Sequence, residues 1–435
     1  MQKGLRPRIA DAANALLATL RLGKRPAADK YERVASDEEL ACGSTAVYRD
    51  DLGEAPTEAL LGSAAVPHRL QGGHACGRAS CCMVIAFVAL ACAAYAVYKV
   101  MTWGFAPEAT GLENVPVFGT SLGCLDAPHL YKSSEVVTFA SPLGADADHA
   151  LDIRGGAVGT ITLDAGAADA TEVIYELRVR ASDANLLDSF AVRYPKFDVN
   201  DTRVLITTPQ LTNPGAVCMR FDLMVRIPPN LRKLHVASHS TSHVQFSPED
   251  TRLESLFVTL FGDDPRNMIW PSEALQADAI SLEVYRGWIV GDIAVVDKAS
   301  LKTQRGDGIM RISAHPVPRS GAPVFFSTTT GAGRTDVTWL ANRRASAHRP
   351  IRGTHVSSRG GDVRLDYRGC FEGPIQLDSN MYSAGGLRAI VEPQVEVGRG
   401  ESGMPSDPRW THYAGERDGG DLLYVQSGGW TGLYI

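Results

Sequence analysis

Twenty consecutive residues, Ala79 to Tyr98, carry no formal charge; they read ASCCMVIAFVALACAAYAVY, between Arg78 and Lys99. At 1.5 Å rise per residue such a run makes a helix about 30 Å long, the thickness of a bilayer's hydrocarbon core. A core helix of a water-soluble fold keeps a polar face, and this run has none. Its alanines suit close packing between helices, and Tyr98 and Trp103 sit where interfacial aromatics belong. The run starts too far from Met1 for a cleaved signal peptide. The expectation is one transmembrane helix with its flank over residues 79–103, contacting a lipid bilayer through 79–98.

Arg69 and Arg78 before the run, against Lys99 alone close after it, favour a cytosolic N-terminus and an extracellular or lumenal C-terminus. Residues 1–78 read as a largely disordered tail: 11 Lys/Arg balance 10 Asp/Glu among prolines and alanines. Within it Ile9, Ala13, Leu16, Leu17 and Leu20 form one helical stripe flanked by Lys3, Arg6, Arg8, Arg21, Lys24 and Arg25. That stripe fits a membrane-surface helix, a mitochondrial presequence (hence a mitochondrial membrane as the alternative location) or a transient helix.

Cys76, Cys81 and Cys82 border the apolar run and are candidates for palmitoylation. Cys124, Cys218 and Cys370 lie beyond it; three thiols allow one internal disulfide at most, and spacing leaves the pair open. Asn200-Asp201-Thr202 is an N-glycosylation acceptor, with Asn200 the candidate site. No Cys/His zinc spacing occurs, so no metal or other cofactor is expected.

From Lys99 onward there are 32 Lys/Arg against 39 Asp/Glu, a balance that speaks against a nucleic-acid surface. Short strand-like runs dominate. Gly159–Leu163, Thr171–Val179, Arg203–Ile206 and Phe221–Ile227 read mostly as half-buried strands of the antiparallel type; in the second, Val173, Tyr175, Leu177 and Val179 alternate onto one face. Leu253 to Phe261 fits either a helix or a strand. After residue 280 a unit recurs, strand, Gly turn, strand: Leu282–Gly287 into Gly291–Val295, Leu301–Gly306 into Gly308–Ile312, Val324–Gly331 into Thr335–Trp339, and Thr354 to Leu365 across Gly360-Gly361. Units of 25 to 30 residues imply stacked coils that bury their faces on one another. Val356, Val363, Leu365, Ile375 and Leu377 are expected to point into that core.

These strand–Gly–strand runs resemble the adhesin-like domain known as DUF4097. The layout is similar to single-pass membrane proteins of basidiomycete fungi that carry it, through Gly155–Leu163 and through Ser358–Val363 with Phe371–Ile375. The resemblance implies an all-β fold, a β-solenoid or roll, as an outer domain on one transmembrane helix. It carries no catalytic residues. The chain lacks clean Gly turns before residue 285, and Leu234–Phe246 has Ser and His instead. The domains expected are a disordered tail (1–78), the helix and flank (79–103), a β-sandwich-like region (106–230) and the repeated adhesin-like strands (231–435).

Three local patterns touch chemistry. Gly119-Thr120-Ser121-Leu122-Gly123 matches a nucleophile elbow, but Pro128 follows where a helix is required. His235, His239 and His243 are four apart, too far along a strand to share one metal ion; an exposed polar face explains them better. Gly262-Asp263-Asp264-Pro265 is explained by a turn. The function expected is non-enzymatic contact with a cell-wall glycan or a protein. The alternative is a tethered carbohydrate-active hydrolase, which needs paired carboxylates beside exposed aromatics. Oligomeric state is not legible.

Overall fold

The computed structural model describes residues 88, 90–99, 112–195, 202–211, 217–304, 307–317, 321–340, 348–390 and 409–435. The chain divides into two units, Met1–Tyr98 and Lys99–Ile435. The apolar run is helical at residue 88 and over residues 90–99. Among the described residues no helix is long and apolar enough to cross a membrane. This finding corrects the expectation of a single-pass anchor, and with it the orientation and both membrane locations. The run's alanines favour a helix in any setting, so its lack of charge does not by itself specify a bilayer. The tail, the thiols of Cys76, Cys81 and Cys82, and Asn200 lie outside the described residues.

The second unit is predominantly β. Its first strands are β1 (His129–Leu130), β2 (Val137–Ser141), β3 (Asp148–Arg154), β4 (Val158–Ala165), β5 (Val173–Ala181), β6 (Ala191–Arg193), β7 (Arg203–Thr207) and β8 (Met219–Ile227). Then come β9 (Lys233–Ser238), β10 (Ser242–Phe246), β11 (Thr251–Leu260), β12 (Met268–Trp270), β13 (Leu275–Val284), β14 (Trp288–Val295), β15 (Lys298–Thr303) and β16 (Ile309–Pro316). The last are β17 (Val324–Thr330), β18 (Thr335–Trp339), β19 (Ile351–Ser357), β20 (Val363–Asp366), β21 (Gly373–Gly385), β22 (Arg388–Ala389), β23 (His412–Ala414) and β24 (Leu422–Tyr434).

From β9 to β18 each strand pairs in parallel with the next but one. One ladder runs β3, β9, β11, β13, β15, β17, β19, β24, β21; the other runs β8, β4, β10, β12, β14, β16, β18, β20, β24, β21. The long β24 and β21 serve both ladders. From β9 to β19, register partners lie 19 to 27 residues apart, as from Ala279 to Lys298 and from Lys298 to Phe325. The antiparallel reading of the early runs therefore holds for β5, which pairs so with β1, β2 and β8, and for β7 against β6, but β4 pairs in parallel with β8 and β10, and β7 in parallel with β3. Alternation reveals one buried face and is blind to strand direction. Leu253–Phe261 forms most of β11, a strand rather than a helix.

Alternation fills the interior. In one ladder Val236, Val258, Leu282, Leu301, Thr328, His355 and Val425 lie in one lateral row. In the other the row is Ile161, Val244, Ile269, Ile289, Met310, Thr335, Val363 and Thr431. All of these side chains are buried. Val363, Leu365, Ile375 and Leu377 point inward as expected, but Val356 is only half-buried. In β19 the inward residue is His355, fully buried, which hydrogen-bonds Thr328 at 2.7 Å and Tyr367 at 2.8 Å.

The turns between ladders stack too. A Cβ on Gly333 would collide with the carbonyl of Gly308, and one on Gly361 with the carbonyl of Gly333, so only glycine lets successive turns approach this closely. Ahead of residue 285 serines do the same work. The buried hydroxyls of Ser238 and Ser242 donate to the carbonyl of Ser240, and the Ser242 amide donates to Asn267.

Candidate functional site

The outward side of β9 and β11 carries the candidate site. Register sets Phe257 beside His235 and Thr259 beside Ala237, and the Phe261 amide, just past β11, donates to Ser238. His235 and Phe257 meet edge to face at 6.2 Å between ring centroids; His239 and Phe261 stack at 4.6 Å. Phe257 and Phe261 are each 45% exposed, unusual for phenylalanine on a strand face. Four residues along a strand separate the two ring pairs by about 13 Å. The small side chains of Ala237 and Thr259 occupy the ground between them.

Polar groups border the rings. On the β3 side, Arg154 grips Asp152 with two nitrogens at 2.7 and 3.1 Å, and His239 Nε2 lies 3.9 Å from the same carboxylate. On the β13 side, Ser281 and Glu283 follow Phe257 and Thr259 in register, and Gln304 donates to Glu283. Burial, and then the charge of Arg203, lower the pKa of His235 below its ordinary value. Its imidazole therefore stays neutral at physiological pH, an uncharged hydrogen-bonding edge beside an aromatic face.

The elbow-like Gly119–Gly123 turns through a short 3-10 helix at Thr120–Leu122, with Gly119 and Gly123 at φ 72° and 76°. It has no strand-to-helix frame. Instead it is clamped as a strap: Arg220, itself buried, donates to the carbonyls of Gly119 at 2.6 Å and Gly123 at 3.1 Å, and Gly119 donates to His243 Nδ1 at 3.0 Å. Cys124 joins Cys218 in a disulfide, which resolves the open pairing; Cys370 is a buried free thiol that burial shifts to higher pKa, away from reactivity.

The three histidines part company. His235 and His239 are exposed, whereas His243 is fully buried in β10 under the strap, which corrects the expectation of a common exposed face. Its Nδ1 accepts from Gly119 and its Nε2 donates to the carbonyl of Arg266, and desolvation lowers its pKa to about 4. In the Gly262–Pro265 turn, Asp264 receives the Arg266 side chain and backbone amide, so its oxygens serve the turn. Among the described residues no group of three or more His, Cys, Asp or Glu is placed to hold a metal ion. Sequence reasoning missed the aromatic half of the site. Phe257 and Phe261 sit 22 residues beyond the histidines they pair with, and only the pairing of β9 with β11 joins them.

The chain matches no known family pattern, and no curated protein matches it. Among solved structures it is similar to a candidate cell-adhesion protein from Clostridium sporogenes, at 9% identity and TM-score 0.23 over 69% of this chain and 98% of that one. A candidate adhesin from Bacteroides fragilis aligns at 10% identity and TM-score 0.31, over 70% and 98%. One from Parabacteroides distasonis aligns at 12% identity and TM-score 0.26, over 54% and 98%.

Proposed function

We propose that this protein is a non-catalytic, adhesin-like module, a β-solenoid of two ladders that binds a carbohydrate on the outward face of β9 and β11. The carrying observation is the pair of exposed Phe–His ring couples about 13 Å apart, with low ground between them. A sugar ring has an apolar C–H face and a rim of hydroxyls. The first is matched by aromatic faces, whose negative π cloud attracts C–H groups, and the second by neutral imidazole and amide edges. Large apolar groups left together on a sheet face signify an interaction surface.

The carboxylates argue for binding rather than hydrolysis. A glycosidase needs two free carboxyl groups across the sugar. Here Asp152 is held by the Arg154 fork and Glu283 by Gln304. The resemblance of the glycine-turn repeats to adhesin-like domains points the same way.

The test is binding of the full chain to immobilised β-glucan, mannan and chitin oligosaccharides, alongside Phe257→Ala and Phe261→Ala. The expected result is retention on one of them, weakened at least tenfold by either substitution. Retention that survives both substitutions, or none at all, removes the proposal. Release of shortened sugars would turn it toward the hydrolase.

A further inference from the structure

The second ladder carries an aromatic platform of its own. Trp270, at the end of β12, is 44% exposed, the one exposed tryptophan among the described residues. Two neighbours make its seat. Phe118, just ahead of the Gly119–Gly123 strap, meets the indole edge to face at 6.3 Å between ring centroids. Gly291, in β14, lies against the indole. A Cβ there would fall 2.9 Å from Trp270 Cδ1 and 2.6 Å from the Pro271 carbonyl oxygen, so only a residue without a side chain lets the ring settle at this place.

Two carboxylates stand beside this ring. Asp292 follows Gly291, and its amide donates to the same Pro271 carbonyl. Register sets Asp292 beside Ser313 and Ala294 beside His315 on β16. His315 then lies between two exposed acids: its Nδ1 is 2.7 Å from Glu273 Oε2, and its Nε2 is 3.7 Å from Asp292 Oδ1. Nε2 has no hydrogen-bond partner among the described residues. A single imidazole, charged or neutral, leaves two carboxylates with a net negative charge. The outward cation of β16, Arg311, has Asp336 as its register partner on β18.

We propose that Trp270, Asp292 and Glu273 bind a protonated amino sugar, the deacetylated hexosamine unit of a glycan. An ammonium group is drawn both to carboxylates and to the face of an indole, the aromatic side chain that attracts cations best. The C–H face of the pyranose ring matches the flat indole, a surface that a lone lysine side chain would not fill. Acetylating the amine removes its charge, and with it the attraction of the two acids. This site lies on the other ladder from β9 and β11, and it stands or falls separately from the face proposed there.

The experiment is calorimetric titration of the full chain with glucosamine hexasaccharide and with its fully N-acetylated counterpart, at about pH 6, above the ordinary carboxylate range. The amine-bearing sugar should bind, and Trp270→Ala and Asp292→Asn should each weaken it at least tenfold. Phe257→Ala, Phe261→Ala and Glu172→Gln, the last an exposed acid elsewhere, should leave it unchanged. Trp270→Ala keeps every charge, so its loss separates a built site from the general attraction of a polycation to a chain of net charge −6. Binding of the acetylated sugar should not respond to Trp270→Ala; that sugar and the two phenylalanine variants read the β9–β11 face separately. No binding of the amine-bearing sugar overturns the proposal, as does binding that survives both Trp270→Ala and Asp292→Asn. So does an equal loss in Glu172→Gln or Phe257→Ala. Polylysine binding that Trp270→Ala weakens as much would make the partner a basic protein and overturn the sugar.

Discussion

Substituting Val363 and Arg364, adjacent residues on opposite faces of β20, measures the alternation that builds the stack. Val363 is 1% exposed and lies in register between Thr335 and Thr431. A carboxylate there would be surrounded by neighbouring coils, with Thr335 already bonded to Thr330 at 3.0 Å. Val363→Asp should cost about 4 kcal/mol, by protonation of the acid or by opening of the coil. Arg364 is half-buried and rests over the Tyr434 ring at 5.6 Å. Arg364→Asp should lose only about 1 kcal/mol of cation–π and packing energy. At about 2 °C per kcal/mol for a domain of this size, melting should fall by about 8 °C for the first and about 2 °C for the second. Differential scanning calorimetry of residues 99–435 in both variants reads the difference. Equal losses, or a larger loss for Arg364→Asp, would refute the register.

Reduction of Cys124–Cys218, which closes a separation of 94 residues, should destabilise the unit by about 2–5 kcal/mol; urea titration with and without dithiothreitol checks this, and unchanged midpoints would deny the strap a structural role. His149 and His243 have pKa values lowered to about 4 and His355 to about 3, in each case chiefly by desolvation. Folded-state values below the unfolded one of about 6.5 mean that the unfolded chain binds more protons in acid. These groups' contribution should be fully present above pH about 6.5 and fall as the pH drops toward about 4. Replacing His355 by Leu should flatten that slope by up to one proton while leaving the Thr328 and Tyr367 hydroxyls unpaired; an unchanged slope would contradict a neutral buried imidazole.

Much of the fold was legible because β-strands write their burial into the sequence every second residue. Val173, Tyr175, Leu177 and Val179 are buried as that rule requires, and the glycines at 308, 333 and 361 lie in turns stacked on one another. Val356 misled because the inward residue of β19 is polar: His355 is buried through its bonds to Thr328 and Tyr367, partners 27 and 12 residues away in sequence. Strand direction was illegible for a similar reason, since parallel pairing is set by the connection between strands rather than by their faces. The apolar run misled differently, because an uncharged run rich in alanine favours a helix in any setting and does not by itself specify a bilayer. At the site, His235 and His239 were visible as a spacing, but their chemistry depends on Phe257 and Phe261 on the neighbouring strand.

The central claim is that these two ring couples hold a sugar. Calorimetric titration of the full chain with the oligosaccharide it retains, compared with Phe257→Ala, Phe261→Ala and the exposed-edge control Tyr382→Ala, tests it most directly. The account predicts at least a tenfold weaker Kd for each phenylalanine variant, an unaltered Kd for Tyr382→Ala, and melting temperatures within about 2 °C of wild type, since exposed side chains carry little stability. Equal affinity in all four proteins would contradict it.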